Sequence, residues 1–137
     1  MHVLVAGATG AVGRRIVPLL LERGHRVTGL TRSTARAKDL RSAGAEAVVA
    51  DVVGGSAVTA AVRAAAPDVV MHQLTDLSDE DRAANARLRV VGTRNLVDAA
   101  RAAGVRRIVA QSIAFGYEDG PNPATEDTPL RPDLPGV

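Results

Sequence analysis

The stretch VLVAGATGAVGRRIV, Val3 to Val17, sets three glycines at spacing three between an apolar β-branched run and a new apolar pattern of helical period. A buried strand that feeds a helix over so few residues must turn tightly. Gly7 supplies backbone angles that other residues avoid. Gly10 leaves the main chain bare, so a ligand can come against it without a Cβ in the way. Gly13, one turn into the helix, permits close contact between helix and sheet. The helix start adds unpaired amides and a partial positive charge, which together suit a pyrophosphate. Ala8, Thr9, Ala11 and Val12 complete the loop whose main chain would face it. A glycine triplet opening a helix after a strand in a βαβ unit is the setting of a dinucleotide site. The alternative is a structural turn that binds no nucleotide. A Walker-type loop is excluded, because no Gly-Lys-Ser/Thr follows and the only lysine, Lys38, lies far downstream.

The rest of the chain alternates in the same way. His2–Ala6, Arg26–Thr31, Ala45–Ala50, Asp68–His72 and Arg106–Ser112 read as strands. Helical patterns fall between them: Ala11–Arg23, stopped by Gly24; Ser33–Ser42; an alanine-rich helix to about Ala65, with Ser56 as its N-cap; and Ser78 to about Ala103, stopped by Gly104. Ser78 and Asp81 have the spacing of a reciprocal capping pair. Pro18 lies inside the first helix and should kink it. Five strands alternating with four helices predict an α/β domain: a doubly wound parallel sheet of Rossmann type, strand order 3-2-1-4-5. Residues 1–112 would form this nucleotide-binding domain. Residues 113–137, with five of the seven prolines, would form an irregular tail at the lip of an active site.

A length of 137 residues and 46% hydrophobic content suit one domain with a sizeable core. There is no cysteine, so disulfides and thiolate metal sites are excluded. His72 has no second His, Asp or Glu at ligand spacing, and no metal is expected. Seventeen basic residues against fifteen acidic ones leave +2. The arginines are scattered, which reads as a solvated surface and not as a nucleic-acid face. No apolar run approaches the roughly 18 residues of a membrane span, and no leader pattern precedes the first strand. A cytoplasmic protein is the expectation.

The spacing G-x-x-G-x-x-G in GATGAVG, the segment DVVMHQLT (Asp68–Thr75), and VVGTRNLVDAARAAGVRRIVAQS (Val90–Ser112) occur in order along the chain. Together they resemble the short-chain dehydrogenase/reductase superfamily, in its extended and atypical branch of NAD-dependent epimerase/dehydratase type. The resemblance covers residues 2 to about 117. It implies an NAD(P)-binding protein of the epimerase, dehydratase or reductase type. Such a protein acts on a sugar-nucleotide or a small carbonyl or alcohol by nicotinamide hydride transfer.

For the cofactor, the residue ending strand two is decisive. NAD binders usually place an acid there for the adenosine ribose. Here Thr31 is followed by Arg32, and a guanidinium can bind a 2′-phosphate that a carboxylate would repel. Arg36 and Lys38 could add charge. NADP(H) is expected over NAD(H), with NAD left open. The resemblance further carries Asp51 and Val52 to the adenine edge, and Gln73, Leu74 and Thr75 to the ribose on the nicotinamide side.

The family's acid–base pair, Tyr-x-x-x-Lys, is absent. The one tyrosine, Tyr117, has Pro121 four residues on. By resemblance Tyr117 lies beside the site, and the family's strand-end hydroxyl position falls at Ile113, which leaves Ser112 as its substitute. Ser112 and Tyr117 are therefore the candidates at the catalytic end, with Phe115 a further residue of that lip. Arg89 stands where extended members often carry an asparagine, and Asn85 lies one turn earlier. The chain ends where relatives begin the helix that bears the active tyrosine. The C-terminal part is expected to be missing, and these residues to be the cofactor-binding half. An apolar side of the Ser78–Ala103 helix would then be uncovered, which leaves a homodimer open. A non-catalytic NADP(H) sensor, an inactive fragment and a nucleotide-free scaffold are the competing readings.

Overall fold

The computed structural model describes residues 1–75, 82–112, 116–121 and 123–132. Five parallel strands form one sheet in the order β3-β2-β1-β4-β5, as the alternation predicts. They are β1 (His2–Ala6), β2 (Arg26–Thr31), β3 (Glu46–Val49), β4 (Val69–His72) and β5 (Arg107–Ala110). The helices between them are α1 (Gly13–Glu22), α2 (Thr34–Ser42), α3 (Gly55–Ala65), α4 (Arg82–Arg87) and α5 (Thr93–Ala102). Between α4 and α5 the chain keeps helical backbone angles through one wider π-turn, Leu88–Gly92, so all three form one continuous rod. The capping pair at Ser78 and Asp81 lies outside the described residues.

β1 is the central strand and explains the two-layered core. Val3 pairs in register with Val27 of β2 on one side and Val69 of β4 on the other. Its side chains alternate between the faces, as a pleated strand requires. Val3 and Val5 pack with Val17, Val27 and Leu40 under α1 and α2. Leu4 and Ala6 pack with Val58, Val62, Val70 and Leu96 under α3 and α5. β1 is buried throughout, which is why its sequence is a continuous apolar run.

Several element ends differ from the sequence reading. α3 begins at Gly55 with Gly54 as its N-cap and no capping side chain, so Ser56 lies within the helix and is not its cap. Ser33 does cap α2, accepting from the Arg36 amide at 3.3 Å. β5 stops at Ala110, which puts Ser112 in the exposed chain beyond it. α1 runs through Pro18. Pro18 and Arg14 are both exposed, so water can take the hydrogen bond that the Arg14 carbonyl loses. In the tail, Tyr117 makes an isolated antiparallel bridge with Leu130. The Glu118 amide donates to the Pro129 carbonyl and the Arg131 amide to the Gly116 carbonyl, each at 2.9 Å. Val90 and Val91, on the rod, are 54% and 37% exposed. Among the described residues no helix is long and apolar enough to cross a membrane.

Polar groups tie the strands together at their N-terminal ends. Glu46 of β3 accepts from Arg26 Nε at 2.7 Å and from Thr28 Oγ1 at 3.0 Å. Thr28 Oγ1 also meets His2 Nε2 at 2.8 Å, and the His2 amide donates to Asp68 at 2.8 Å. Burial, then the nearby Arg26 charge, holds His2 below the ordinary imidazole range. His72, buried at the end of β4 with its Nε2 2.8 Å from Thr93 Oγ1, is lowered chiefly by burial as well. An unfolded histidine therefore takes up a proton more readily than either folded one. Stability should be fully present above about pH 6.5 and fall as the pH drops below it, by at most about 1.4 kcal/mol per pH unit for each histidine. Thermal unfolding between pH 7.5 and 5.5 checks this, and the slope should flatten in His2→Asn.

Candidate functional site

The C-terminal ends of β1, β2 and β4 frame a cavity of about 260 Å³. It lies where the connections from neighbouring strands leave in opposite directions, the usual ligand crevice of such sheets. Gly7, Thr9 and Gly10 form its floor. Thr31, Arg32, Ser33 and Arg36 form the β2 side, and Gln73, Leu74 and Thr75 the β4 side. Leu30, Ala50, Val52 and Leu88 supply the remaining walls. A second cavity of about 220 Å³ adjoins it and shares Arg32 and Leu88; Asp51, Val53, Ala84 and Arg87 complete it.

The glycines are dictated by backbone contact. Gly7 has φ +86°, and a Cβ built there would stand 2.4 Å from the Gln73 carbonyl oxygen. A Cβ on Gly13 would stand 2.1 Å from the Gly7 carbonyl oxygen and 2.7 Å from the Ala8 main chain. The close approach at Gly13 is thus to the loop's own backbone. The Gly10 amide donates to the Gly7 carbonyl at 3.0 Å, closing the turn. Val12, at the N-cap of α1, makes no side-chain capping hydrogen bond. The Arg14 and Arg15 amides donate to the Gly10 and Val12 carbonyls at 3.1 and 2.9 Å, so the cavity floor is the bare main chain of the loop at Gly7 and Gly10 beside the start of α1.

At the β2 end, Thr31 Oγ1 accepts from the Ser33 amide at 3.2 Å and lies 3.3 Å from Thr9 Oγ1. The hydroxyl thus shapes the turn that carries Arg32. Beyond β3, Asp51 Oδ1 accepts from the Val53 amide at 2.9 Å, so one oxygen serves the loop itself. That loop is held from α5: Asn95 Nδ2 donates to the carbonyls of Val52 at 2.9 Å and Val53 at 3.1 Å. A Cβ on Gly92 would stand 2.8 Å from Val52 Cγ2, so the absence of a side chain there lets the rod lie against Val52.

Ten of the residues singled out in the sequence line the main cavity: Gly7, Thr9, Gly10, Thr31, Arg32, Arg36, Val52, Gln73, Leu74 and Thr75. Asp51 lines the adjoining one. Ala8 is fully buried beneath the loop, Ala11 and Val12 are exposed at the helix mouth, and Gly13 opens α1. Ser112 and Tyr117 line neither cavity. Ile113 and Phe115 lie outside the described residues. Among the described residues no three His, Asp or Glu side chains gather as a metal site. Leu88 and Asn95 had no role in the sequence reading. Asn95 stands in the quoted GTRNLV segment, whose spacing could have drawn attention to it; Leu88 depends on the π-turn and left no local signal.

A family model described as NAD(P)H-binding matches residues 7–134. The chain belongs to this NAD(P)H-binding family. It is 50% identical to a 3-diazoavenalumate denitrifying reductase of a Streptomyces species, over 98% of this chain and 45% of that protein. It is 37% identical to a UDP-glucose 4-epimerase of Mycolicibacterium smegmatis, over 98% of this chain and 46% of that protein. Among solved structures it superposes on the UDP-glucose 4-epimerase of Thermus thermophilus in complex with NAD, at TM-score 0.82 and 30% identity, covering 96% of this chain and 45% of that one. The NAD(P)H-binding family and these relatives bear out the resemblance to epimerase/dehydratase-type short-chain dehydrogenase/reductases. The chain spans less than half the length of the relatives it matches. The residues present fit the family's dinucleotide: bare main chain at Gly7 and Gly10, Arg32 and Arg36 on one side and Gln73 and Thr75 on the other line a single cavity.

Because the atoms beside Gly13 are backbone and cannot swing aside, Gly13→Ala should cost about 1–3 kcal/mol of stability and weaken dinucleotide binding. Gly120→Ala, where a methyl meets nothing within 4 Å, should change neither. Thermal melts with and without coenzyme compare the two.

Proposed function

We propose that this chain is the cofactor-binding part of a reductase or epimerase-type protein, and that it takes NADP(H) in preference to NAD(H). The observation that carries the preference is the β2 end of the cavity, where Thr31, Arg32 and Arg36 stand and a carboxylate does not. A guanidinium pairs bidentately with a phosphate, which favours the coenzyme carrying the additional one.

The bound coenzyme would supply hydride transfer at its nicotinamide ring. The chain's own residues bind and orient. Main-chain amides from Gly7 to Gly13 meet the pyrophosphate at the positive end of α1. Arg32 and Arg36 bind the 2′-phosphate, and Lys38, exposed on α2, adds only long-range charge. Asp51 and Val52 border the adenine, held in place through Asn95. Gln73, Leu74 and Thr75 run along the other ribose. Ser112 and Tyr117 are the candidates to orient a substrate at the open end. A sugar-nucleotide or a small carbonyl or alcohol is the proposed substrate class, supported by the named relatives. Residues 1–112 are the cofactor unit in this reading, with the chain beyond them at the substrate lip. Location in the cytoplasm, and association of two copies through the rod that exposes Val90 and Val91, belong to the same proposal.

NADPH should raise the thermal midpoint of the chain more than NADH at equal concentration. Arg32→Glu should lower NADPH affinity by about 10- to 100-fold, the loss of one charge-assisted hydrogen bond, with a far smaller effect on NADH. Equal shifts by the two coenzymes, before and after the substitution, would defeat the assignment of Arg32.

A further inference from the structure

The sequence holds one aspartate followed by glycine, Asp119–Gly120, and no asparagine followed by glycine. The pair lies in the irregular chain beyond β5, and both residues are exposed. The last tie before it is the Glu118 amide on the Pro129 carbonyl at 2.9 Å. Past that tie, neither the Asp119 carboxylate nor the Gly120 amide has a hydrogen bond or ion pair among the described residues. A Cβ on Gly120 would meet nothing within 4 Å. With no side chain of its own and no neighbour close by, Gly120 leaves its nitrogen open to approach.

The other aspartates are arranged differently. Asp127 is exposed in the same tail, but the amide after it, on Thr128, donates to the Thr125 carbonyl at 3.1 Å. Thr128 Oγ1 accepts from the Thr125 amide at 2.9 Å, which closes that turn further. Thr128 is also β-branched and crowds its own nitrogen. Asp39 and Asp98 lie within α2 and α5, where the next amide belongs to the helix ladder. Asp51 and Asp68 each precede a valine.

We propose that Asp119–Gly120 is a site of self-isomerisation, which gives the chain a second, isoaspartyl form. The Gly120 nitrogen attacks Cγ of the Asp119 carboxyl and forms an N–Cγ bond. The nitrogen gives up its proton and the carboxyl its hydroxyl, and the two leave as water. Water then opens the succinimide ring. Attack at Cγ restores aspartate. Attack at the Asp119 main-chain carbonyl breaks the original peptide bond and leaves the chain running through Cβ and Cγ. Nothing is oxidised or reduced, and the mass of the product equals that of the starting chain. The backbone between the Glu118 tie and Gly120 becomes one methylene longer, with a carboxylate on Cα. The partner class for that form is a carboxyl methyltransferase that recognises isoaspartate and uses S-adenosylmethionine. None of this depends on the cofactor reading.

The test holds the folded chain at physiological temperature for several weeks, then digests it and separates the peptides. The peptide carrying residue 119 should gain a second peak of unchanged mass, preceded by one lighter by a single water. Electron-transfer fragmentation should place the isomer at 119. An isoaspartate methyltransferase with labelled S-adenosylmethionine should label the aged chain and not the fresh one. Gly120→Ala puts a methyl beside the nitrogen in otherwise open space and should lose most of the product. Asp119→Glu, which must close a larger ring, should lose all of it. No isomer at 119, an equal yield at Asp127, or an unchanged yield in Gly120→Ala would overturn the proposal.

Discussion

Three backbone segments meet at van der Waals distance at the end of β1, and the rest of the molecule is arranged around that meeting. The Gly7 turn touches the Gln73 carbonyl on one side and the first residue of α1 on the other. The contact is between main chains, so no rotamer can relieve it. It sets how closely α1 approaches the loop that follows β1. A wider turn would put a side chain where the anion site lies.

The far wall of the site depends on a second close approach, made across a longer stretch of chain. The β3–α3 loop carries Asp51 and Val52, and the rod supports it through Asn95 of α5 on two carbonyls and through Gly92 of the π-turn, which lies against Val52. The π-turn from Leu88 to Gly92 ends at that contact. An extra residue in a helical turn shifts the faces on either side of it relative to each other. Leu88 can thus reach both cavities while α5 keeps Leu96, Ala99 and Ala100 in the core. One rod serves as a wall of the site at one end and as core packing at the other.

Charge is distributed along the sheet in a matching way. The N-terminal ends of the strands carry a satisfied polar chain, with Arg26, Glu46, Thr28, His2 and Asp68 bonded in turn. The C-terminal ends carry Arg32, Arg36 and the bare glycine main chain around a cavity. The first set holds the strands in register. The second gives the cavity a positive side.

Much of this was legible in the linear sequence, because the controlling interactions are local. Strand and helix periods, the glycine triplet and the absence of an acid after β2 each involve residues within a few positions of one another, and with the right-handed rule for crossovers the periods lead to the observed strand order. The Ser56 cap failed for a local reason too: Gly54 takes the N-cap place with no side chain at all. What could not be read are the features made by residues far apart in the chain. Asn95 bonds to a loop some forty positions away; Leu88 reaches the cavity through a turn that its neighbours do not announce; Ser112, two residues beyond β5, lines neither cavity. The side-chain oxygen of Gln73 belongs to the same class. Its residue type is plain in the sequence, but that the oxygen is buried without a partner among the described residues is settled only when β1, β4 and the glycine turn pack together.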